Sequence, residues 1–339
     1  MSMRPRLGPG GRHRLLIGGL LGLVAVLMAV SVMLGYAPLD FRAAVSDLLA
    51  GRESLPVLVL AELRIPRAVL GAAVGFSLGL TGAALQGLMR NPIADPGIVG
   101  VSGAAALGAV VAFYFGFSSA FALALPLGGL MGATIATAFL LAVARRGADT
   151  ATLILAGVAL NALAGALTAL ALNLAPSPYA ALEVVFWLMG SLSDRSLAHV
   201  ALALPFMVLG WGLVLASARA MDALTLGEEA AESLGFSLTR VRLLVVGGTA
   251  AAVGASVAVS GAIGFVGLVV PHLMRPLVGH RPGRLLLASG LAGAALTLGA
   301  DIVVRLVPTR PELKLGVVTA IIGAPFFLAL LRRLKAQGT

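Results

Sequence analysis

Charge is what this chain has least of. Asp, Glu, Lys and Arg make up 11% of its 339 residues, against roughly 25% in soluble globular domains. The mean hydropathy is +1.03 and 59% of the residues are hydrophobic. Such a chain would not stay in water; it reads as a polytopic membrane protein. Cysteine is absent, which excludes disulfides, thiolate metal ligands and cysteine nucleophiles. Lysine is confined to Lys314 and Lys335. No Gly-x4-Gly-Lys-Ser/Thr loop is present, so nucleotide energy, if used, must come from another chain. His13, His199, His272 and His280 show no metal-ligand spacing, and no metal site is expected. Gly-x-Ser-x-Gly and His-Glu-x-x-His are missing, and no apolar run carries two carboxylates, so an enzyme reading finds nothing to hold. The net charge of +10 would suggest nucleic acid in a soluble protein. Here the arginines stand between apolar runs, where they act as topology signals, and no nucleic-acid partner is expected.

What the chain does have is apolar runs. Arg4, Arg6, Arg12 and Arg14 precede Leu15–Tyr36, too long for a signal-peptide core and not followed by an Ala-x-Ala site; it reads as a retained first span. Ala37–Arg67 is mixed in charge and is placed outside. Runs follow at Ala68–Met89, Ile98–Phe117, Phe121–Ala144, Ala151–Leu172, Leu197–Ser217, Leu243–Met274, Leu285–Val304 and Leu315–Leu331. Leu243–Met274 would make a helix of ~48 Å, too long for one crossing of a ~30 Å layer. Gly261, Gly264 and Gly267 offer places to turn, which splits it in two and gives ten spans. Sixteen of the 24 basic residues then fall on loops assigned to the cytoplasm together with both termini, in the sense of the positive-inside rule.

Ala68–Met89 is dense in Gly, Ala, Ser and Thr, the composition of a helix packed on all sides by other helices. It also repeats. Val74-Gly-Phe-Ser77, Thr81-Gly-Ala83, Pro92 and Val99-Gly100 match Val253-Gly-Ala-Ser256, Ser260-Gly-Ala262, Pro271 and Val278-Gly279 at a constant offset of 179. An odd number of spans separates the copies, so the repeat is inverted, as in many transporters. The chain is read as one membrane domain over residues 1–339: a first span at 15–36, a first repeat at 64–172, a cytoplasmic loop at 219–242 and a second repeat at 243–333.

Polar residues within this apolar frame are few. Asp301 is the best candidate for ion coupling, yet Arg305 stands four residues on, at helical pairing distance. Asn161, Asn173 and Gln86 suit either helix–helix hydrogen bonding or a pathway lining. In the loop Ser217–Arg242, Thr225 reads as an N-cap and Gly235 as a stop, with Leu226, Ala230, Ala231 and Leu234 on one face of the helix between. Its other face is acidic (Glu228, Glu229, Glu232). A helix lying on lipid headgroups would be basic there, so a docking ridge for a cytoplasmic protein fits better. Leu174–Leu192 is too short after Pro178 to cross and reads as an interfacial or re-entrant helix. Arg64, Arg67, Arg305 and Arg310 are assigned to the outer side, either to attract an acidic partner or as solvated loop ends.

Taken together, Arg64-Ile-Pro-Arg67, Gly82-Ala-Ala-Leu-Gln-Gly87, Asn91-Pro-Ile-Ala-Asp-Pro-Gly97 and Gly100-Val-Ser-Gly103 resemble the signature of permeases of type II ABC importers. Leu155-Ala-Gly-Val158, Phe186-Trp-Leu-Met-Gly-Ser-Leu192, Gly264-Phe-Val-Gly-Leu-Val-Val-Pro-His272 and Gly316-Val-Val-Thr-Ala320 with Gly323-Ala-Pro-Phe326 agree, in the same order. The resemblance implies an all-α permease of about ten spans that imports a metal chelate: ferric siderophore or haem by preference, cobalamin as a further possibility. It implies a second copy of the chain, two cytoplasmic ATPase subunits that bind the ATP and Mg²⁺, a periplasmic binding protein, and a bacterial inner membrane. By resemblance, ATPase coupling maps onto Leu226, Gly227, Glu228, Glu229, Ala231, Leu234 and Gly235. The cytoplasmic gate maps onto Asn91, Ile93, Thr150 and Ala151, with Ile and Ala standing where Leu and Ser are frequent. The translocation path maps onto Asn161, Gly165, Thr168 and Asn173, and binding-protein docking onto Arg64, Arg67 and Arg305. The alternative is a self-contained secondary transporter of a small organic solute.

Overall fold

The computed structural model describes residues 9–35, 40–117, 121, 123–146, 149–309 and 311–337. Among these, ten apolar helices stand where ten spans are expected: α1 (Pro9–Met33), α3 (Ile65–Leu88), α4 (Val101–Tyr114), α5 (Ala124–Arg145), α6 (Thr150–Asn173), α8 (Leu197–Ala216), α11 (Leu238–Ser260), α12 (Val266–Met274), α13 (Pro282–Leu306) and α14 (Leu315–Gln337). Between them lie α2 (Phe41–Leu49), α7 (Pro178–Leu188), α9 (Ala218–Leu224) and α10 (Glu228–Ser233). Arg310 falls outside the described residues.

Small side chains decide which helices sit at the centre. The most apolar windows of α3 and α11 are each 83% buried, against 11% for α1 and 17% for α6. At the crossing of α3 and α13, a Cβ on Gly75 would overlap the Gly293 carbonyl, and one on Gly79 the Ser289 carbonyl. Only a bare backbone permits that approach, and it exchanges lost side-chain contacts for backbone-to-backbone van der Waals contact. Polar atoms in this spine are satisfied locally. Ser77 and Thr81 donate to carbonyls four residues earlier at 2.8 and 2.7 Å, and Ser256 and Ser260, at the offset of 179, do the same at 2.7 and 2.8 Å. Each copy also ends in a 3₁₀ turn, Pro96–Val99 and Arg275–Val278, closed by a left-handed glycine: Gly100 at φ 80° and Gly279 at φ 67°.

Two boundaries differ from expectation. The second span starts not at Ala68 but within a continuous helical stretch from Leu55 to Leu88, 34 residues long, that includes a π-helical turn at Val59–Arg64. Glu62, Arg64 and Arg67 therefore ride on helix rather than loop. The third span is shorter than Ile98–Phe117 because Pro96 starts a 3₁₀ turn and Gly100 restarts the chain. The long run Leu243–Met274 does break, at residues 261–265. Gly261 takes φ 68° there, and Phe265 takes a left-handed φ of 68° at the N-cap of α12, a backbone state that costs a bulky residue of order 1–3 kcal/mol.

Candidate functional site: a charged brace, a bare wall and an exposed ridge

At the end of the bundle where α1 stops and α3 begins, five charged side chains meet. Arg67 donates to both carboxylate oxygens of Asp301, its closest contact being 2.8 Å, and also pairs with Glu312. Asp301 receives Arg305 as well, at 2.9 Å. The expected pairing of Asp301 with Arg305 is thus present, with Arg67 as a third member. Arg305 extends beyond it to the Ser31 and Leu34 carbonyls at 2.7 and 2.8 Å, and Arg64 donates to the Met33 carbonyl at 2.8 Å. These are the carbonyls that the last turn of a helix leaves without partners, at the negative end of its dipole. Two guanidiniums from other helices therefore cap α1. Glu312 also accepts from Ser193 Oγ. Burial alone would raise the Glu312 carboxyl, but hydrogen bonds from Arg67 and Ser193 and the charges of Arg67 and Arg305 outweigh it and hold it below the usual carboxylate range.

Of the four arginines assigned to the outer side, Arg310 lies outside the described residues and two of the other three are not on the surface. Arg64 and Arg305 are 6% and 9% exposed, turned inward because α1 offers them acceptors. Arg67 keeps 12% of its side chain in the open.

The wall is formed by α6, α7 and α14. On α6 only Leu153, Gly157 and Ala164 are buried. Of the residues assigned to a path, Asn161, Gly165 and Asn173 are exposed and Thr168 is half-buried. Asn173 Nδ2 donates back to the Ala169 carbonyl at 2.9 Å, Asn161 leans over Gly103 of α4, and Gly165 has nothing near it. Alongside, Met189, Ala262, Val317, Ile321 and Pro325 line an open apolar groove of about 700 Å³. The residues assigned to a gate lie at the opposite end of α6. Asn91 is exposed, its side chain accepting from the Ile93 amide at 3.1 Å, and Ile93 is half-buried. Thr150 and Ala151 open α6 behind Asp149, which caps it by accepting from the Thr152 amide at 2.8 Å. The 3₁₀ turn after the Asn91–Ile93 loop packs on α6.

The ridge is α9 and α10. Here one expectation is corrected. Thr225 is not an N-cap; it ends α9, its Oγ1 donating to the Asp222 carbonyl at 2.7 Å. The following helix is only Glu228–Ser233, entered at Gly227 and stopped at Gly235 with φ 88°. Its apolar residues also divide: Ala231 is fully buried, whereas Leu226 and Leu234 are 70% and 61% exposed. The leucine pair stands out of the protein with exposed Glu229 and Glu232 around it. Its base is fastened. Arg90, just past α3, donates to the Leu224 carbonyl at 2.8 Å. Asp222 accepts the Gly283 amide at the start of α13 at 2.8 Å, and Glu228 meets Arg242 of α11 at 3.5 Å. Arg275 donates to Gln86 at 2.8 Å, tying the end of α12 to α3.

Sequence reasoning missed Asp222, Arg90 and Phe265. Asp222 sits in a helix of seven residues whose end falls before the motif, and a cross-chain cap leaves no spacing to read. Trp211, donating to Ser77 at 2.8 Å, is equally silent. Among the described residues no cluster of three His, Cys, Asp or Glu could hold a metal ion.

A buried small-residue spine, a bare apolar wall and a ridge fastened to the spine are the parts of a transporter's membrane subunit. The chain belongs to the FecCD transport family, whose model matches residues 23–333. It is 44% identical over 277 residues to the cobalamin import system permease protein BtuC of Halobacterium salinarum, covering 81% of this chain and 73% of that protein. It is 39% identical over 306 residues to the Fe(3+) dicitrate transport system permease protein FecD of Escherichia coli, covering 90% and 94%. Among solved structures, an inward-facing metal-chelate type ABC transporter matches with a TM-score of 0.80 at 31% identity, covering 94% of this chain and 98% of that one. The protein is a multi-pass permease of an ABC importer.

Proposed function

We propose that two copies of this chain, driven by two cytoplasmic ATPase subunits, carry a bulky metal chelate inward across a bacterial inner membrane, with both termini in the cytoplasm. The observation that carries the coupling is the ridge: Leu226 and Leu234 face outward while its base is hydrogen-bonded to the end of α3 and the start of α13. Force on such a ridge reaches the buried spine without passing through a flexible linker. ATP and Mg²⁺ belong to the partner. Closure of the ATPases would shift the ridges as rigid bodies and bias the bundle between outward and inward access, each state favoured by differential binding.

The bare faces of α6 and α14 serve as the path and as the contact with the second copy. Their apolar character, with Thr152, Asn161, Thr168 and Asn173 among the polar exceptions, suits weak binding of a cargo that must leave again. The gate is assigned to Asn91, Ile93, Thr150 and Ala151 at the inner end. The periplasmic binding protein is assigned to the outer end, on the side of the brace where Arg67 and Glu312 keep partial exposure. Cobalamin is placed ahead of the ferric siderophore or haem, because the relatives include proteins named for cobalamin import. Ferric citrate follows from the FecD likeness.

A self-contained carrier would need an ionisable group free to change charge. Asp301, the candidate for it, is held by two arginines. The deciding experiment is uptake into vesicles containing the permease with and without its ATPase, with labelled cobalamin, ferric citrate and a ferric siderophore supplied on the binding protein. ATP-dependent uptake of one cargo is expected. Uptake on an ion gradient alone would overturn the importer mechanism, and uptake of none of the three would overturn the cargo assignment.

A further inference from the structure

The start of α1 and the turn between α12 and α13 enclose a cleft of about 450 Å³ whose walls carry Arg12, His13, Arg281 and Arg284 and no carboxylate. That volume lies within the ~300–1,000 Å³ of small-ligand sites. We propose that this cleft binds the phosphate group of an anionic glycerophospholipid from the membrane leaflet on the ridge side.

Three observations point to an anion. Among the described residues Arg12 and Arg281 enter no salt bridge, so no described carboxylate neutralises their charges. His13 Nδ1 is buried without a hydrogen-bond partner. The 25-residue helix α13 begins at the cleft, and its N-cap Arg281 makes no side-chain cap, so the positive end of that dipole adds to the field.

Two further observations point to lipid rather than to free phosphate. Among the seven described helices long and apolar enough to cross a membrane, α1 is the least covered by protein, 11% buried across its most apolar window, so the cleft adjoins the bilayer. Arg12 precedes the apolar run beginning at Leu15, and Arg281 immediately precedes α13, which sets both guanidiniums at the boundary where lipid phosphates stand. Leu277, 56% exposed on the same wall, offers apolar contact below the headgroup. A lipid seated there would bridge α1 to α13 at the ridge end, as Arg305 bridges them at the other end. Neither the direction of transport nor the cargo enters this inference.

The test uses the full-length protein in phosphatidylcholine nanodiscs containing a minor fraction of phosphatidylglycerol, with retained phosphatidylglycerol counted by native mass spectrometry. Each cation near an anionic lipid is worth about fivefold in binding, so the pair Arg281→Gln and Arg284→Gln should lower retention about 25-fold and Arg12→Gln about fivefold. The pair Arg281→Lys and Arg284→Lys should keep most of it. Arg145→Gln with Arg146→Gln, basic residues at the end of α5, should leave it unchanged. Thermal unfolding in pure phosphatidylcholine checks that the variants fold; if the Arg281/Arg284 pair does not, the Arg12 variant decides. Equal retention by wild type and folded variants would overturn the proposal. So would displacement of the lipid by millimolar inorganic phosphate, which would make the site one for the free anion.

Discussion

The two ends of the bundle treat charge in opposite ways. At the brace, Arg64, Arg67 and Arg305 are spent on partners within the chain: two carboxylates and the last carbonyls of α1. At the ridge, Glu229 and Glu232 stand exposed beside Leu226 and Leu234, while Asp222 and Glu228 at its base have partners among the described residues. The brace closes on itself and holds the bundle together, whereas the ridge leaves its surface open for another molecule. A charged cluster read from sequence does not announce which of these it is. The decisive fact is whether another helix brings an unsatisfied acceptor within reach.

This contrast breaks most visibly at Asp301. Asp301→Ala should destabilise the protein by about 3–5 kcal/mol, because it removes the one carboxylate that two buried guanidiniums share, and thermal unfolding in micelles measures it. An unchanged midpoint would mean that the brace carries no stability. Gly79→Val, which drives a side chain into the Ser289 carbonyl, should cost about 1–3 kcal/mol through overpacking, with retained near-native helicity by circular dichroism. Trp211→Phe removes the donor to Ser77 and should cost about 1 kcal/mol.

The pH response sharpens the same comparison. Because the folded Glu312 pKa is depressed, its contribution is fully present above the ordinary value of 4.5 and is lost as pH falls through the folded value. Unfolding midpoints should therefore show no Glu312-dependent change between neutral pH and about 5 and a decline only below that. Glu312→Gln should remove that part of the decline. The smallest stability effect belongs to the ridge. Leu226→Asp with Leu234→Asp should move the unfolding free energy by less than ~0.5 kcal/mol, as surface changes do, while abolishing co-purification of the ATPase. Full recruitment by that variant would refute the coupling assignment.

Much of this was legible beforehand because apolar runs in a membrane have one solution for their backbone, the helix. The ten-span outline, the central place of Ala68–Met89, the break near Gly261 and the helix after Pro178 all follow from run length and small-residue content. Less legible was anything set by a partner distant in sequence. Thr225 has the residue type of an N-cap, but the helix before it claims its hydroxyl. The division of Leu226 and Leu234 from Ala231 follows from a helix of only six residues, too short to present one continuous face. Arg64 and Arg305 read as outer cations until α1 supplies the carbonyls that draw them in.

The π-helical turn at Val59–Arg64 sets the phase of this architecture. A π turn inserts one residue beyond the α-helical count, and each residue advances a helix by about 100°. With it, Arg64 faces the end of α1 while Arg67, three residues on, faces Asp301. Imposing ordinary α winding on these residues without removing one would swing everything upstream around the axis by that angle, whereas deleting a single residue between Val59 and Leu63 would take away the surplus residue together with its wide turn and leave both flanks in phase. A one-residue deletion there should therefore be absorbed, whereas a further one-residue insertion should act as a rotary misalignment of the upstream segment, redirecting the chain that joins it to α2.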